Sequence, residues 1–575
     1  MGAVSPQGRV VRVNGPLVQV EGLAGIAMLE AVELGPQRLA GEIVAIRGDL
    51  VTVQAYEYTG GLAPGAATAP RGEPLSAPLG PHLLGGVFDG LLRPLAGAGT
   101  WLTPARREES DGRVWSFTPT VSAGTVVTPG TPLGTVGGAG AVPYLVLAPP
   151  GVGGRVEAIR PPGAYPAAAP LARIAGHDVA MTLRWPVRRA KPQRERLDTV
   201  VPLLTGQRVI DLLLPVPQGG TAAVPGGFGT GKTVLLQQIA KWCDADVIVY
   251  VGCGERGNEL ADVVAELAEL ADPRTGGRLA QRTVVIANTS NMPMMAREAS
   301  VYSAVTVAEH FRDMGYDAVV IADSTSRWAE ALRELASRGG ALPAEEGYPA
   351  DLASALAAFY ERAGRVTTLG GLQGSVTIIG AVSPPGGDMT EPVTTHTQRF
   401  VRCLWTLDRD LAYARHYPAV SWTASFARDV DAVAAFYARN GDPGWAQRRA
   451  RVAALLAEAD RLGALAELVG AAALPGRERM VLLAGRLLRE AVLQQSALSP
   501  LDAFSDSERT AALTAVVLDT VDACQQLTVQ GVAAATIEEQ DFSPLLRARE
   551  EVGADAAEAL RGRRDAVLDR LETLR

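Results

Sequence analysis

The residues Gly226-Gly227-Phe228-Gly229-Thr230-Gly231-Lys232-Thr233 follow the pattern G-x-x-x-x-G-K-[ST] without a mismatch. Each residue type contributes to holding phosphate. The glycines let the main chain close around an anion, and successive N–H groups then point inward. Lys232 reaches the terminal phosphates, and the Thr233 hydroxyl is a ligand for Mg2+. Lysine occurs in this chain only at positions 191, 232 and 241, while arginine carries nearly all the other positive charge. A lysine kept in the loop against that background points to a need for a compact ammonium, where a planar guanidinium would not fit.

Two carboxylates downstream extend the chemistry. Residues 318–323 form an apolar run that ends in Asp323, the arrangement in which an aspartate organises the water shell of Mg2+. Many buried strands end in aspartate, so this reading draws its strength from the phosphate loop upstream. The segment Gly254-Glu255-Arg256-Gly257-Asn258-Glu259 follows the apolar run 247–251. A carboxylate at the C-terminal end of a strand beside the phosphate-loop strand faces a terminal phosphate. Glu255 is therefore expected to orient or deprotonate the attacking water. Arg256 either touches phosphate or holds Glu255; the alternative is a surface turn carrying an ion pair.

These residues need a strand, a loop and a helix in that order. Residues 221–224 read as a short strand, and 234–240 as a helix whose N-terminus faces the phosphates. Continuous apolar runs at 247–251, 283–287 and 318–322 alternate with helical segments, the pattern of a doubly wound parallel sheet. Before it, residues 1–70 hold β-branched runs at 8–13, 17–20, 41–46 and 50–54 separated by turn residues, which predicts a small β-barrel. Residues 71–115 are rich in Pro and Gly and read as a connecting segment. Residues 116–185 return to short strands and turns, an inserted β-rich module. Its pattern is similar to lipoyl- and biotin-carrying domains, but it contains no lysine. It therefore cannot be a swinging-arm carrier and reads as a packing or docking module. The phosphate-loop core spans 186–430. Residues 431–575 carry Ala, Leu, Arg and Glu at helical spacing, as at 452–468, 477–493 and 509–524, and predict a helical bundle. The last stretch, 554–575, reads as a charged amphipathic surface helix. The expected fold class is multidomain α/β.

At 575 residues the chain exceeds what one hydrophobic core organises, so several domains are required. A hydrophobic content of 47%, a charged content of 20% and a net charge of -8 describe a globular protein and argue against a general nucleic-acid partner. Cys243, Cys253, Cys403 and Cys524 are dispersed, so neither a zinc site nor a disulfide framework is expected, and a reducing, cytoplasmic setting fits. The histidines at 82, 177, 310, 396 and 416 show no metal-ligand spacing. No apolar run is long enough to cross a bilayer. No signal peptide is expected, and Pro6 stands where a myristoylation signal needs Ser or Thr.

Taken together, the motifs make the chain resemble the catalytic A subunit of the vacuolar/archaeal-type rotary ATPases. The residues that carry the resemblance are Gly219-Gly220-Thr221-Ala222-Ala223, the loop itself, Gly252-Cys253-Gly254-Glu255-Arg256-Gly257-Asn258-Glu259 and Asn288-Thr289-Ser290-Asn291-Met292-Pro293. They continue with Ala322-Asp323-Ser324-Thr325-Ser326-Arg327-Trp328-Ala329-Glu330-Ala331, Glu345-Glu346-Gly347-Tyr348-Pro349-Ala350, Ser383-Pro384-Pro385-Gly386-Gly387-Asp388 and Leu493-Gln494-Gln495. The resemblance covers nearly the whole chain, and the 116–185 module matches the insertion of that subunit. It implies a RecA-like core that binds ATP or ADP with Mg2+ and turns it over, coupled to H+ or Na+ transport. Lys232 and Thr233 would then hold phosphate and Mg2+. Glu255 would be the catalytic carboxylate and Arg256 its neighbour. Asp323 would lie on the Mg2+ side, acting through water, and Arg327 would line the site. It also implies a non-catalytic B subunit in an A3B3 ring that supplies an arginine finger, with a central rotor stalk, peripheral stalks, a membrane rotor sector and a peripheral cytoplasmic location. Tyr417 stands where the related F-type β subunit stacks a tyrosine on adenine, whereas A subunits usually have phenylalanine; the alternative is a core tyrosine. The family often has proline at the position of Gly227. Some eukaryotic members have a reactive cysteine at the position of Thr230, so redox control by that thiol does not carry over. Two other readings remain: a hexameric translocase or secretion ATPase with a related core, and an inactive nucleotide-binding structural subunit.

Overall fold

The computed structural model of the chain describes residues 8–96, 112–553 and 557–574. The myristoylation-like N-terminus, residues 97–111 of the connecting segment, and residues 554–556 and 575 of the last predicted helix lie outside the described residues. The chain divides into two compact units. One comprises 1–198, 245–383 and 389–400; the other comprises 199–244, 384–388 and 401–575.

The first unit begins with a barrel of six strands: β1 (Gly8–Asn14), β2 (Leu17–Glu21), β3 (Glu30–Leu34), β4 (Leu39–Arg47), β5 (Leu50–Ala55) and β6 (Ala67–Pro74). They close in the order β1-β2-β5-β4-β3-β6. Alternate residues fill the interior, among them Val10, Val20, Val32, Leu34, Ile43 and Val53, as the period of two demands. Strands β3 and β6 are not expected from the sequence. Their signal is hidden because Glu33 sits in β3 and Pro70 and Gly72 sit in β6. Glu33 is satisfied across that pair by Arg71 at 2.6 Å. The segment expected to be a plain connection is therefore structured. It supplies the closing part of β6, then Ser76–Leu79, which pairs with Leu183–Pro186, and Val87–Phe88, which pairs with Thr283–Thr289.

The inserted module has two four-stranded antiparallel sheets. One is built from Val126–Val127, Gly154–Ile159, Ala172–Ile174 and His177–Val179. The other is built from Tyr144–Leu147, Pro132–Gly137, Val114–Pro119 and Gly163–Pro166. Beyond it, Asp317–Asp323 lies between Gln373–Val382 and Val247–Glu255, and Thr283–Thr289 flanks the latter, all parallel. These strands are buried on both faces, which explains their unbroken apolar runs. The long helix Met294–Asp313 packs on them and is buried along most of its length. Its carboxylates are paired with cations. Glu298 takes Arg188 at 2.7 Å, Glu309 takes Arg362 at 2.6 Å, and Asp313 takes Lys191 at 3.3 Å, with the Lys191 side chain 3% exposed.

In the second unit Thr221–Pro225 runs parallel to Cys403–Leu404, which pairs with Phe426–Ala427. The helices Trp445–Val469, Gly476–Leu487, Ser507–Val529, Ser543–Glu551 and Ala557–Glu572 follow. A buried ion pair ties the start of this unit to its helices. Arg208 and Asp502 are both fully buried and bond at 2.7 Å. The same guanidinium donates to the carbonyls of Val492 and Gln494, and Arg549 takes the other Asp502 oxygen at 2.6 Å.

Removing Arg208 takes one of two cations from the buried Asp502 carboxylate and leaves the Val492 and Gln494 carbonyls without their donor. Arg208→Ala should therefore destabilise this unit by about 3–5 kcal/mol in urea unfolding. The double variant Arg208→Met/Asp502→Leu should recover a large part of that loss. A loss below about 1 kcal/mol for the single variant would show that the pair does not hold the unit together.

Candidate nucleotide site

The second unit carries the phosphate loop. The strand Thr221–Pro225 ends, the loop turns, and the helix Lys232–Trp242 begins after Gly231, which has φ 87°. Only glycine adopts that left-handed turn freely. The turn leaves the first amides of the helix facing outward, as anion binding needs. The Lys232 ammonium donates to the carbonyls of Gly226 at 2.6 Å and Gly227 at 2.9 Å, and the Thr230 hydroxyl donates to Gly227 O at 2.9 Å. The loop thus braces itself through its own side chains. Phe228 projects outward, 93% exposed. Gly227 is not left-handed, and a Cβ there would meet only Gly387 at 3.9 Å, so a side chain at this position has room.

Tyr417 lies beside this loop. A side chain starting at Gly231 would meet its ring at 3.4 Å, and the residue is 42% exposed. Its carbonyl accepts from the Gln495 N–H at 2.7 Å, and its peptide bond to Pro418 is cis. The ring is half-exposed against the loop and is not buried as a core tyrosine would be.

The first unit carries the carboxylates. Asp323 closes the strand Asp317–Asp323 and is 3% exposed; the Tyr250 hydroxyl donates to it at 3.2 Å. Burial first, and then Asp323, hold the Tyr250 hydroxyl well above its ordinary pKa, so it stays a donor. Glu255 is the last residue of Val247–Glu255. Since Gly252 sits opposite Asp323, Glu255 lies further out at the carboxyl end of the sheet, where ligands of open α/β sheets bind. Arg327 bonds Glu330 at 3.0 Å, and its pKa is raised by that bond first, with Glu255 contributing. Arg256 is exposed and pairs with Glu259 at 3.4 Å. Cys253 is buried, and burial pushes its thiol up to about 12, which makes it unreactive.

The hydroxyl of Thr233 and the carboxylate of Asp323 are hard oxygen donors of the kind Mg2+ takes alongside water and phosphate. Among the described residues no cluster of three or more His, Cys, Asp or Glu could hold a metal by itself. Tyr250 and Arg297, which packs over Gly254, were not legible as site residues. One sits inside an apolar strand, and the other lies one helical turn beyond the recognisable segment ending at Pro293.

The comparisons with known proteins agree along the chain. Residues 10–68 match the β-barrel domain of the ATP synthase alpha/beta family. Residues 109–188 match its barrel-sandwich domain, 206–427 its nucleotide-binding domain, and 434–533 the C-terminal domain of V and A type ATP synthase. The V-type ATP synthase alpha chain of Anaeromyxobacter dehalogenans is 52% identical over 86% of this chain and 87% of its own length. The chain belongs to the V/A-type ATP synthase alpha (A) subunit family. The corresponding A-type ATP synthase protein of Sulfolobus acidocaldarius, a member of this family, is 45% identical over 94% of this chain and 93% of its own length. The assembled ATPase EscN of the enteropathogenic E. coli type III secretion system superposes with a TM-score of 0.65 at 22% identity, covering 89% of this chain and all of that one. At that identity the likeness is one of fold.

His416, next to Tyr417, is buried and stands edge-on to Trp422 with ring centroids 6.0 Å apart. Burial first, then Arg489 and Arg549, push its pKa from 6.5 down to about 4. The unfolded chain therefore takes up a proton below pH 6.5 that the folded chain refuses until about pH 4. Stability contributed by neutral His416 is complete above pH 6.5 and is lost as pH falls through that window, at about 1.4 kcal/mol per pH unit. His416→Gln should flatten the pH dependence of urea unfolding of this unit between pH 7 and pH 5 by about one proton. An unchanged slope would show that His416 is not held neutral.

Proposed function

We propose that the chain is the catalytic subunit of a V/A-type rotary ATPase, coupling ATP hydrolysis or synthesis to H+ or Na+ transport across a membrane. The observation that carries this reading is near-full-length similarity to V/A-type A subunits together with an intact Lys232, Thr233, Glu255 and Asp323. Intact residues at these positions also disfavour an inactive structural subunit. The similarity to a secretion ATPase rests on fold alone.

In this reading, the residues Gly226–Thr233 cradle the phosphates with their amides, and Lys232 transfers its donors from the Gly226 and Gly227 carbonyls to the terminal phosphates. Tyr417 offers an aromatic face to adenine. Glu255 orients the attacking water and accepts its proton. Arg327 and Arg256 add positive charge near the transferring group. Mg2+, when bound, neutralises phosphate charge, with Thr233 and Asp323 as the residues that would hold it. Catalysis is then positioning and electrostatic stabilisation of an in-line transfer. The arginine finger comes from a B-type subunit of an A3B3 ring, and central and peripheral stalks link the ring to a membrane rotor on the cytoplasmic face. Among the described residues no helix is long and apolar enough to cross a membrane, so attachment runs through partners.

Hydrolysis by the purified chain, with and without its B-type partner, tests this reading. The rate should be low alone and rise strongly on assembly, since a finger supplied in trans is worth roughly 10³–10⁵-fold. Full activity in a verified monomer would overturn the shared site. In the assembled ring Glu255→Gln should keep nucleotide binding and lose about 10²–10⁴-fold in turnover. Near-normal hydrolysis by that variant would remove Glu255 from the mechanism.

A further inference from the structure

The strand that ends in Glu255 is irregular at its last step. Cys253 pairs with Asn288, and Glu255 pairs with Thr289, so Gly254 is an extra residue with no opposite number. Its φ is 77°. Such a bulge turns the following side chain away from the direction the strand would give it, and bulges concentrate beside active sites for that reason. The direction of Glu255 is therefore set at Gly254.

The space over Gly254 is filled by two arginines. A Cβ on Gly254 would lie 2.9 Å from Arg297 Nε, 3.1 Å from Arg297 Cδ and 2.9 Å from Arg327 Cβ. Arg297 comes from the first turn of Met294–Asp313, and its carbonyl accepts the Cys253 thiol at 3.7 Å. The helix start thus contacts the strand at Cys253 and at the bulge itself. The Arg297 Nη2 reaches the Ser290 carbonyl only at 3.5 Å. Its buried Nε–H has no partner among the described residues. A buried donor left unmade is destabilising, so its retention calls for a purpose beyond packing.

We propose that Arg297 is a positioning residue for Glu255, holding the Gly254 bulge in place and presenting a guanidinium that keeps the Glu255 carboxylate ionised and turned toward the attacking water. This rests on Glu255 being the catalytic carboxylate. Arg327 also contributes charge toward Glu255, but it is committed to Glu330. Arg297 is the cation whose donors are not spent on a carboxylate elsewhere in the described structure.

The test is steady-state ATP hydrolysis by the complete complex assembled with Arg297→Gln or Arg297→Lys, as a function of pH and of MgATP concentration. With glutamine, kcat should fall about tenfold or more while KM stays within about threefold. The acidic limb of the kcat profile should move up by roughly one pH unit, because a carboxylate that loses a nearby cation protonates more easily. Lysine should return the limb toward its wild-type position. A merely structural role would lower assembly or thermal stability without moving the limb. Arg297→Met, which keeps the stem packed, carries the same expectations as glutamine and replaces it if that variant does not assemble. An unmoved limb, or a rise in KM at unchanged kcat, overturns the proposal. Glu255→Gln measured in parallel separates the two failures. Near-normal turnover there removes the reading of Glu255, whereas lost turnover there with unaffected Arg297 variants removes only this inference.

Discussion

Concentrated negative charge has to be held against a protein surface that is itself acidic, and the rest of the site follows from that constraint. A chain with net charge -8 cannot attract a polyphosphate by its overall field. The attraction must be local, and the phosphate loop supplies it from main-chain N–H groups, a helix terminus and one ammonium. The left-handed Gly231 makes this possible by letting a strand become a helix within a few residues. Lys232 and Thr230 tie the loop to its own carbonyls. The cradle is thus shaped by the protein, which spares part of the ordering cost that binding otherwise incurs.

The first unit meets a different demand, holding carboxylates where water is scarce. Around the buried helix Met294–Asp313 the charges form a connected set. Arg188 bonds Glu42 at 3.1 Å and Glu298 at 2.7 Å, and Tyr56 donates to Glu42 at 2.7 Å. Glu42 belongs to the barrel, Arg188 to the strand exit of the inserted module, and Glu298 to the helix that packs beside the Glu255 strand. Pairs of this kind add little net stability over apolar packing, but they penalise any arrangement in which one partner is missing. They fix which surfaces of the barrel, module and helix meet. The helix start that they secure is the one that covers Gly254.

Much of this was legible in the sequence because the physics is local. The phosphate loop, the strand carrying Asp323 and the position of Glu255 follow from short patterns whose geometry is fixed by neighbours in the chain. The helical C-terminal region and the parallel strands follow from periodicity and apolar runs. What was not legible depends on partners far along the chain. Strand β3 hides because Glu33 looks exposed until Arg71 is brought to it, and β6 hides because Pro70 and Gly72 are turn residues that closure tolerates. Tyr250 reads as one more core residue until Asp323 arrives beside it. Arg297 lacks a motif because its meaning lies in the space over Gly254. Arg256 is named from the turn that carries Glu255, and its local partner is Glu259, a pairing that i,i+3 spacing on a helix start favours.

The scarcity of lysine has an experimental side. Of the three side-chain amines, Lys191 is sealed beneath Trp185 and paired with Asp313, Lys241 lies over the ring of Trp242, and Lys232 belongs to the phosphate loop. Acylating or reductively alkylating reagents, which need an accessible neutral amine, meet a surface almost without targets. Mass-spectrometric footprinting with such a reagent would follow Lys232 against Lys241 as the internal reference, a near-single-channel report on whether the loop amine is covered.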